Sequence, residues 1–422
     1  MNHDGLQQIV LLLSVAVLVV AAFRRLGLQP ILGYLLVGVL VGPHGWGWIA
    51  DTDDTRFLAE FGVVFLLFTI GLEFSLPQLM AMRKEVLGLG GAQVLLTTVI
   101  VGLVAWLLDM SPEGALVIGG ALALSSTAIV TKQLTEQLEL GSRHGRLAVA
   151  ILLFQDIAVI PFLILIPAIS GQTDNSVTME LLIAFGKGAL VLAAMMAVGH
   201  WLLRPLFREI ASAHSAELFT LAVLLFTLSA AWVTHLSGLS LALGAFLAGI
   251  MLGETEFRHQ VEADIRPFRD VLLGLFFVTV GMLLDIHTLP SILHWVVLLV
   301  LAMAAGKTVL IMGLARLISG AETGVALRTG LVLAQGGEFG FALLALALSD
   351  GLLTAESSQL VLASVIISMA LSPVLIRFNG AVAKRFCSVS YGGGRDRIQH
   401  SVAESARGLD DHVIICGYGR IG

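Results

Sequence analysis

Leu152-Leu153-Phe154-Gln155-Asp156-Ile157-Ala158-Val159-Ile160-Pro161 sets a carboxylate and its amide neighbour in the middle of a run too apolar for anything but a bilayer. A charge at bilayer centre costs about 2.5–3.5 kcal/mol on insertion scales, and such a group usually marks an ion or proton pathway. Two further ionisable residues, Lys307 and Glu338, fall at similar depth in other apolar runs. The pattern predicts a machine that moves a cation, a proton or both.

Composition agrees. Of 422 residues, 57% are hydrophobic and 13% charged, with a mean hydropathy of +0.94. Soluble domains carry about 25% charged residues, so a soluble globular class is excluded and a polytopic membrane protein remains. The 45 glycines suit helices that pack closely in lipid. The net charge of −6 carries little information, because most of the charges lie in loops. Cys387 and Cys416 both lie late in the chain and give no disulfide framework. The eleven histidines are scattered without metal-ligand spacing. No enzyme chemistry and no nucleic-acid partner are expected. The first apolar run, Leu6 to Phe23, lacks a basic region before it and a small-residue cleavage site after it, and reads as a retained span.

A transmembrane helix needs about 20 apolar residues. That criterion predicts an all-α protein with thirteen spans, at 6–23, 28–42, 57–76, 86–108, 114–132, 146–170, 178–203, 216–236, 238–253, 268–285, 290–315, 325–349 and 357–378. Basic residues gather in alternate loops: Arg24 and Arg25, Arg83 and Lys84, Lys132, Arg143 and Arg146, Arg204 and Arg208, Arg258 to Arg269, Arg316 and Arg328, Arg377 to Arg385. The opposite loops hold only Arg56, beside Asp51, Asp53 and Asp54. The asymmetry puts the N-terminus outside and the C-terminus in the cytoplasm.

The chain also repeats itself. Gly27-Leu28-Gln29-Pro30-Ile31-Leu32-Gly33 through Gly38 resembles Gly238-Leu239-Ser240-Leu241-Ala242-Leu243-Gly244 through Gly249, at an offset of 211 residues. Gly42 matches Gly253 and Ser125-Ser126 falls opposite Gly336-Gly337 at the same offset, while Thr69-Ile70-Gly71-Leu72 matches Thr279-Val280-Gly281-Met282 at 210. Span 2 matches span 9, an odd separation, so matching spans run in opposite directions. This is the inverted repeat of secondary transporters, arranged six, one and six, with a substrate site near the midplane on discontinuous helices.

Two such helices are predicted. One contains Leu124-Ser125-Ser126-Thr127-Ala128, the other Gln335-Gly336-Gly337-Glu338-Phe339. Each puts helix-weak residues where every backbone group must find a partner. Crossed antiparallel, their ends would gather two partial positive and two partial negative charges. Glu338 suits the former and Lys307 the latter. Asp156 suits a group that holds a cation and a proton in turn, as the site for K⁺ or Na⁺. Hard cations take oxygen ligands, available from Asp156, Gln155, Thr127, Ser126, Ser125 and unwound carbonyls. The plainer readings are ordinary interhelical hydrogen bonding for Ser125, Ser126 and Thr127, close packing for Gly336 and Gly337, and a structural Asp156–Lys307 ion pair. Thr279-Val280-Gly281-Met282 resembles a potassium-channel filter but reads as a packing motif. Glu73 and Lys187 read as interfacial. Residues 254–268, with Glu262 and Asp264, read as a solvated cytoplasmic loop.

Beyond Arg385 the composition changes. Residues 386–410 read as a cytoplasmic linker, and 411–422 as the start of a dinucleotide-binding domain: the strand Val413-Ile414-Ile415-Cys416, then Gly417, Gly419 and Gly422 in G-x-G-x-x-G spacing. The helix that would receive a pyrophosphate is not part of the sequence, so the nucleotide site is incomplete, and the chain reads as part of a longer protein.

Residues 152–158, 124–129, 262–268 and 335–339, Leu272-Leu273-Gly274-Leu275-Phe276-Phe277 and the stretch at 413–419 together resemble the Kef-type glutathione-gated potassium efflux systems of the monovalent cation:proton antiporter-2 family. The resemblance covers nearly the whole chain. It implies a homodimer in the bacterial inner membrane, with residues 1–385 as exchanger, a dimerisation bundle and a six-helix core. It implies elevator-type exchange of K⁺ for H⁺ at Asp156. It also implies a regulatory domain, complete only in a longer protein, that binds nucleotide and glutathione and contacts Glu262 and Asp264, and an ancillary regulatory subunit. Electrogenic sodium relatives carry two aspartates where this chain has Gln155-Asp156, which favours electroneutral exchange. A Na⁺/H⁺ antiporter is the alternative within this class, and a nucleotide-regulated K⁺ channel the alternative outside it.

Overall fold

The computed structural model describes residues 3–170 and 186–387, apart from 27–28, 50–52, 75, 192, 196, 198–202 and 214. The expected span at 178–203 lies largely outside these residues, and the linker beyond 387 and the glycines 417, 419 and 422 lie wholly outside them.

Every described element is helical: α1 (His3–Arg25), α2 (Pro30–Val41), α3 (Asp53–Glu73), α4 (Leu76–Ala81), a π-helical turn (Lys84–Gly90) running into α5 (Gly91–Leu107), α6 (Pro112–Ala123), α7 (Thr127–Glu136), α8 (Arg143–Ser170), α9 (Arg204–Ser212), α10 (Ala216–Leu236), α11 (Leu241–Gly253), α12 (Arg258–Met282), α13 (Leu289–Ser319), α14 (Thr323–Val332), α15 (Glu338–Ser349) and α16 (Ala355–Phe386). Local chemistry sets their ends. Proline opens α2, α6 and α13, where its missing N–H costs nothing. Ser111, Ser215, Ser240 and Thr354 cap α6, α10, α11 and α16 through their hydroxyls. Gly320 ends α13 in the left-handed region, at φ +57°. Among the described residues, six helical stretches are long and apolar enough to cross a membrane: 84–107, 112–136, 143–170, 217–236, 289–319 and 356–386.

One expectation fails. Residues 258–268 are not a loop; they form the first turns of α12, which runs unbroken through Pro267 to Met282. Val261 and Ile265, one turn apart, are buried, while His259, Gln260 and Arg266 face outward. That i, i+4 pair anchors a helical face, and the surrounding charges hid it. Glu262 and Asp264 therefore sit on the same helix as the buried stretch from Gly274 to Met282.

Glycine decides how the two halves meet. A Cβ on Gly38 of α2 would overlap the Val278 carbonyl oxygen of α12, and one on Gly281 of α12 would overlap the Leu35 carbonyl oxygen of α2. The same contact recurs between α3 and α11, where a Cβ on Gly71 would overlap the Phe246 oxygen and one on Gly249 the Phe68 oxygen. Gly42 packs on Met282 as Gly253 packs on Leu72. Each helix thus docks on a helix from the other half of the sequence, backbone on backbone, as small residues allow in lipid.

A second brace ties the loop after α7 to α14 and α16. Arg328 Nη2 donates to both Glu139 oxygens at 2.6 Å, its Nε donates to Asn379, and His144 Nε2 lies 3.2 Å from Glu139. Burial works to raise the Glu139 carboxyl, but the Arg328 hydrogen bonds and charge, joined by His144, outweigh it and hold the group below its ordinary value near 4.5.

Two outcomes follow. Gly38→Ala and Gly249→Ala force a helix pair apart and cost about 1–3 kcal/mol each, whereas Gly313→Ala, with nothing within 4 Å of its Cβ, leaves thermal stability unchanged; melting curves in detergent check this. Because the folded value of Glu139 is depressed, its contribution is complete above pH 4.5 and fades as pH falls through the folded value. The gap in melting temperature between wild type and Glu139→Gln is therefore open at neutral pH and narrows in acid. A gap constant with pH would mean the ionised pair adds no stability.

Candidate functional site

The two interrupted helices meet. The first breaks over Leu124–Ser126 between α6 and α7, the second over Leu333–Gly337 between α14 and α15. A Cβ on Gly337 would sit 2.6 Å from the Ser125 carbonyl carbon, so only glycine permits this approach. Ser125 Oγ donates to the Leu333 carbonyl at 2.9 Å, and Gly336 N donates to Ser368 Oγ of α16 at 3.1 Å. Ser126 Oγ accepts from Ile129 N at 3.2 Å and caps α7.

Two opposite charges flank the breaks. Lys307, on α13 and 3% exposed, donates to the Leu124 carbonyl at 3.0 Å, Ser125 Oγ at 2.9 Å and the Gln335 carbonyl at 2.8 Å. Its ammonium thus covers the C-terminal ends of both first half-helices. Glu338, 5% exposed, begins α15, and its Oε1 accepts from Ala128 N at the start of α7 at 3.5 Å. Each charge lies where the helix dipoles favour it. Lys307 does not serve as an ion-pair partner of Asp156: its hydrogen bonds go to the break.

Asp156 lies on α8, half-buried, and its Oδ1 accepts a hydrogen bond from Thr127 Oγ1 at 3.0 Å. Thr127 is the first residue of α7, so the carboxylate is tied to the edge of the first break. Its neighbour Gln155 is bonded to the first break. The Gln155 carbonyl accepts from Ser125 N at 2.8 Å, and its amide donates to Gln93 and to the Ala123 carbonyl. Glu73 ends α3, exposed, with its carbonyl accepting from Arg258 Nη2 at 3.1 Å. Glu262 and Asp264 lie on the first turns of α12, apart from the two breaks.

Sequence reasoning passed over Gln93, Ser368 and the Arg328 cluster. The signal for Gln93 was present: it is a lone amide in the apolar run Gly91–Leu107. Among the described residues no three His, Cys, Asp or Glu side chains converge as a divalent-metal site requires. What the arrangement offers is a half-buried carboxylate, Asp156, hydrogen-bonded by a hydroxyl at the edge of a helix break, and such a group suits a singly charged hard cation or a proton.

Lys307→Met removes three hydrogen bonds made by a charged donor and strands two buried carbonyls. The expected loss is at least about 1.5–3 kcal/mol, read as a lower unfolding midpoint; an unchanged midpoint would deny Lys307 its bracing role.

The family model described as "Sodium/hydrogen exchanger, transmembrane" matches residues 10–378. A protein of Alkalimonas amylolytica named as the K(+) efflux antiporter KefB is 48% identical over 420 residues, covering 99% of this chain and 63% of that protein. The K(+) efflux antiporter 1, chloroplastic, of Arabidopsis thaliana is 44% identical over 419 residues, covering 97% of this chain and 35% of that protein. The chain thus spans less than two thirds of the length of these relatives. In shape it is similar to the sodium proton antiporter MjNhaP1 of Methanocaldococcus jannaschii, with a TM-score of 0.65 at 17% identity, over 90% of this chain and 98% of that one. The chain belongs to the sodium/hydrogen exchanger transmembrane family.

Proposed function

We propose that this chain exchanges a monovalent cation, K⁺ in the first place, for H⁺ by alternating access, with Asp156 as the shared carrier. The observation that carries the reading is the Thr127–Asp156 hydrogen bond at the foot of a helix break. It puts a titratable oxygen where unwound backbone and hydroxyls can complete a cation's shell. Lys307 is engaged with the carbonyls of both breaks and Glu338 faces the start of α7, and this supports Asp156 as the carrier. One carboxylate trades one cation for one proton, so exchange is electroneutral. The choice of K⁺ leans on the names of the relatives; the family description and the solved neighbours speak for Na⁺ as the second reading.

The architecture belongs to the same proposal. Thirteen spans in an inverted six, one and six repeat would place the N-terminus outside and the C-terminus in the cytoplasm of a bacterial inner membrane. The exchange of partners between α2–α12 and α3–α11 supports that repeat, since the sequence matches Gly38 to Gly249 and Gly71 to Gly281 and these four glycines make the two contacts. A homodimer, regulation through Glu262 and Asp264, and a nucleotide- and glutathione-binding domain that begins near residue 411 complete the reading.

The test is proton flux in proteoliposomes with K⁺, Na⁺ and an impermeant cation in turn. Wild type moves protons in response to K⁺ above Na⁺, and an imposed membrane potential leaves the rate unchanged. Asp156→Asn, folded, moves none. Cation-driven flux in Asp156→Asn would remove the carrier assignment, and flux that follows voltage would demand a second carrier.

A further inference from the structure

Gln93 takes no part in the mechanism above. It is fully buried on α5, as Gln155 is on α8, and the two amides touch: Gln155 Nε2 donates to Gln93 Oε1 at 2.7 Å. Both amides also donate to the Ala123 carbonyl, Gln93 at 3.0 Å and Gln155 at 3.2 Å, and Gln93 Nε2 reaches Thr97 Oγ1 at 3.1 Å. One end of this relay has no freedom. The Ser125 N–H can only donate, and it donates to Gln155 Oε1 at 2.8 Å. Gln155 must then turn its NH₂ toward the oxygens of Ala123 and Gln93, and Gln93 must turn its oxygen toward Gln155. Asp156 follows Gln155 directly, and Thr127 lies two residues after Ser125. The relay therefore grips both segments that carry the Thr127–Asp156 contact.

We propose that Gln93 is a positioning residue for the ion site: it fixes Gln155 as a neutral donor and so holds the first helix break at the level where Thr127 meets Asp156. The inference rests on the antiport reading of Asp156. It also says why position 155 is an amide. A carboxylate there would satisfy Ser125 N–H but turn its second oxygen on two acceptors, and buried acceptors facing one another are costly.

The test compares wild type, Gln93→Met, Gln155→Met, their double variant and Gln93→Glu by cation-driven proton flux in proteoliposomes, with melting curves alongside. A wild type without cation-driven flux sinks the antiport reading and this inference with it. Given wild-type flux, Gln93→Met raises the cation KM about tenfold, the scale of one buried hydrogen bond, lowers kcat less, and shifts the pH profile. The double variant is no worse than Gln155→Met, because the two act in series. Gln93→Glu gives a signature of its own. Its protonated form repeats the amide pattern, accepting from Gln155 and donating to Ala123, whereas its ionised form turns negative charge on that carbonyl. Its KM is therefore near wild type in acid and worsens as pH rises. Folded variants that lose thermal stability but keep the wild-type KM and pH profile would overturn the proposal, as would additive losses in the double variant. Should Gln93→Met not fold, Gln93→Glu decides alone, and a pH profile parallel to wild type overturns it.

Discussion

A helix broken inside an apolar medium frees backbone groups that neither lipid nor water satisfies, and this structure is arranged around meeting that demand twice in one place. The first break hands Ser125 N to Gln155, the Leu124 carbonyl to Lys307 and the Ala123 carbonyl to Gln93 and Gln155. The second hands the Leu333 carbonyl to Ser125, the Gln335 carbonyl to Lys307 and Gly336 N to Ser368. Lys307 serves both breaks and Ser125 of the first serves the second, and this explains why the breaks touch. Separated, each would need its own lysine and its own serine in the bilayer, at the cost of further buried polar groups.

The same arrangement distributes charge. Lys307 and Glu338 are opposite in sign and both buried, and each faces helix ends. Asp156 is half-buried, and the hydrogen bond it accepts comes from a neutral hydroxyl. A carboxylate locked to a lysine would have to break an ion pair each time it changed cargo. One held by a threonine needs only to reorient a hydroxyl.

The breaks were legible because Ser125-Ser126 and Gly336-Gly337 interrupt apolar runs with residues that favour no helix, and the charges because nothing else ionisable lies so deep. What stayed hidden shares one physical cause: a sequence gives a polar group's depth but not its direction. Gln155 reads as a ligand beside Asp156, yet its carbonyl turns to Ser125 N. Gln93 looks like one polar residue on a lipid-facing helix until Gln155 meets it from 62 residues away. Arg328 and Glu139, separated by 189 residues, carry no local mark of their pairing. At the start of α12 the error ran the other way: the density of charge masked the spacing of Val261 and Ile265, which alone would have announced a helix.

The crossed glycine contacts set a schedule for the making of the protein. Gly38 has its partner in Gly281, and Gly71 in Gly249, so neither half can close its own seam. At roughly 5–20 residues per second, α2 enters the bilayer on the order of tens of seconds before α12 has been synthesised. Through that interval its glycine face, shaped to lie against another backbone, has only lipid or a borrowed helix beside it. A ribosome that pauses between the halves lengthens the exposure, and the chain's yield in the membrane depends on the tempo of translation as well as on the strength of the finished contacts.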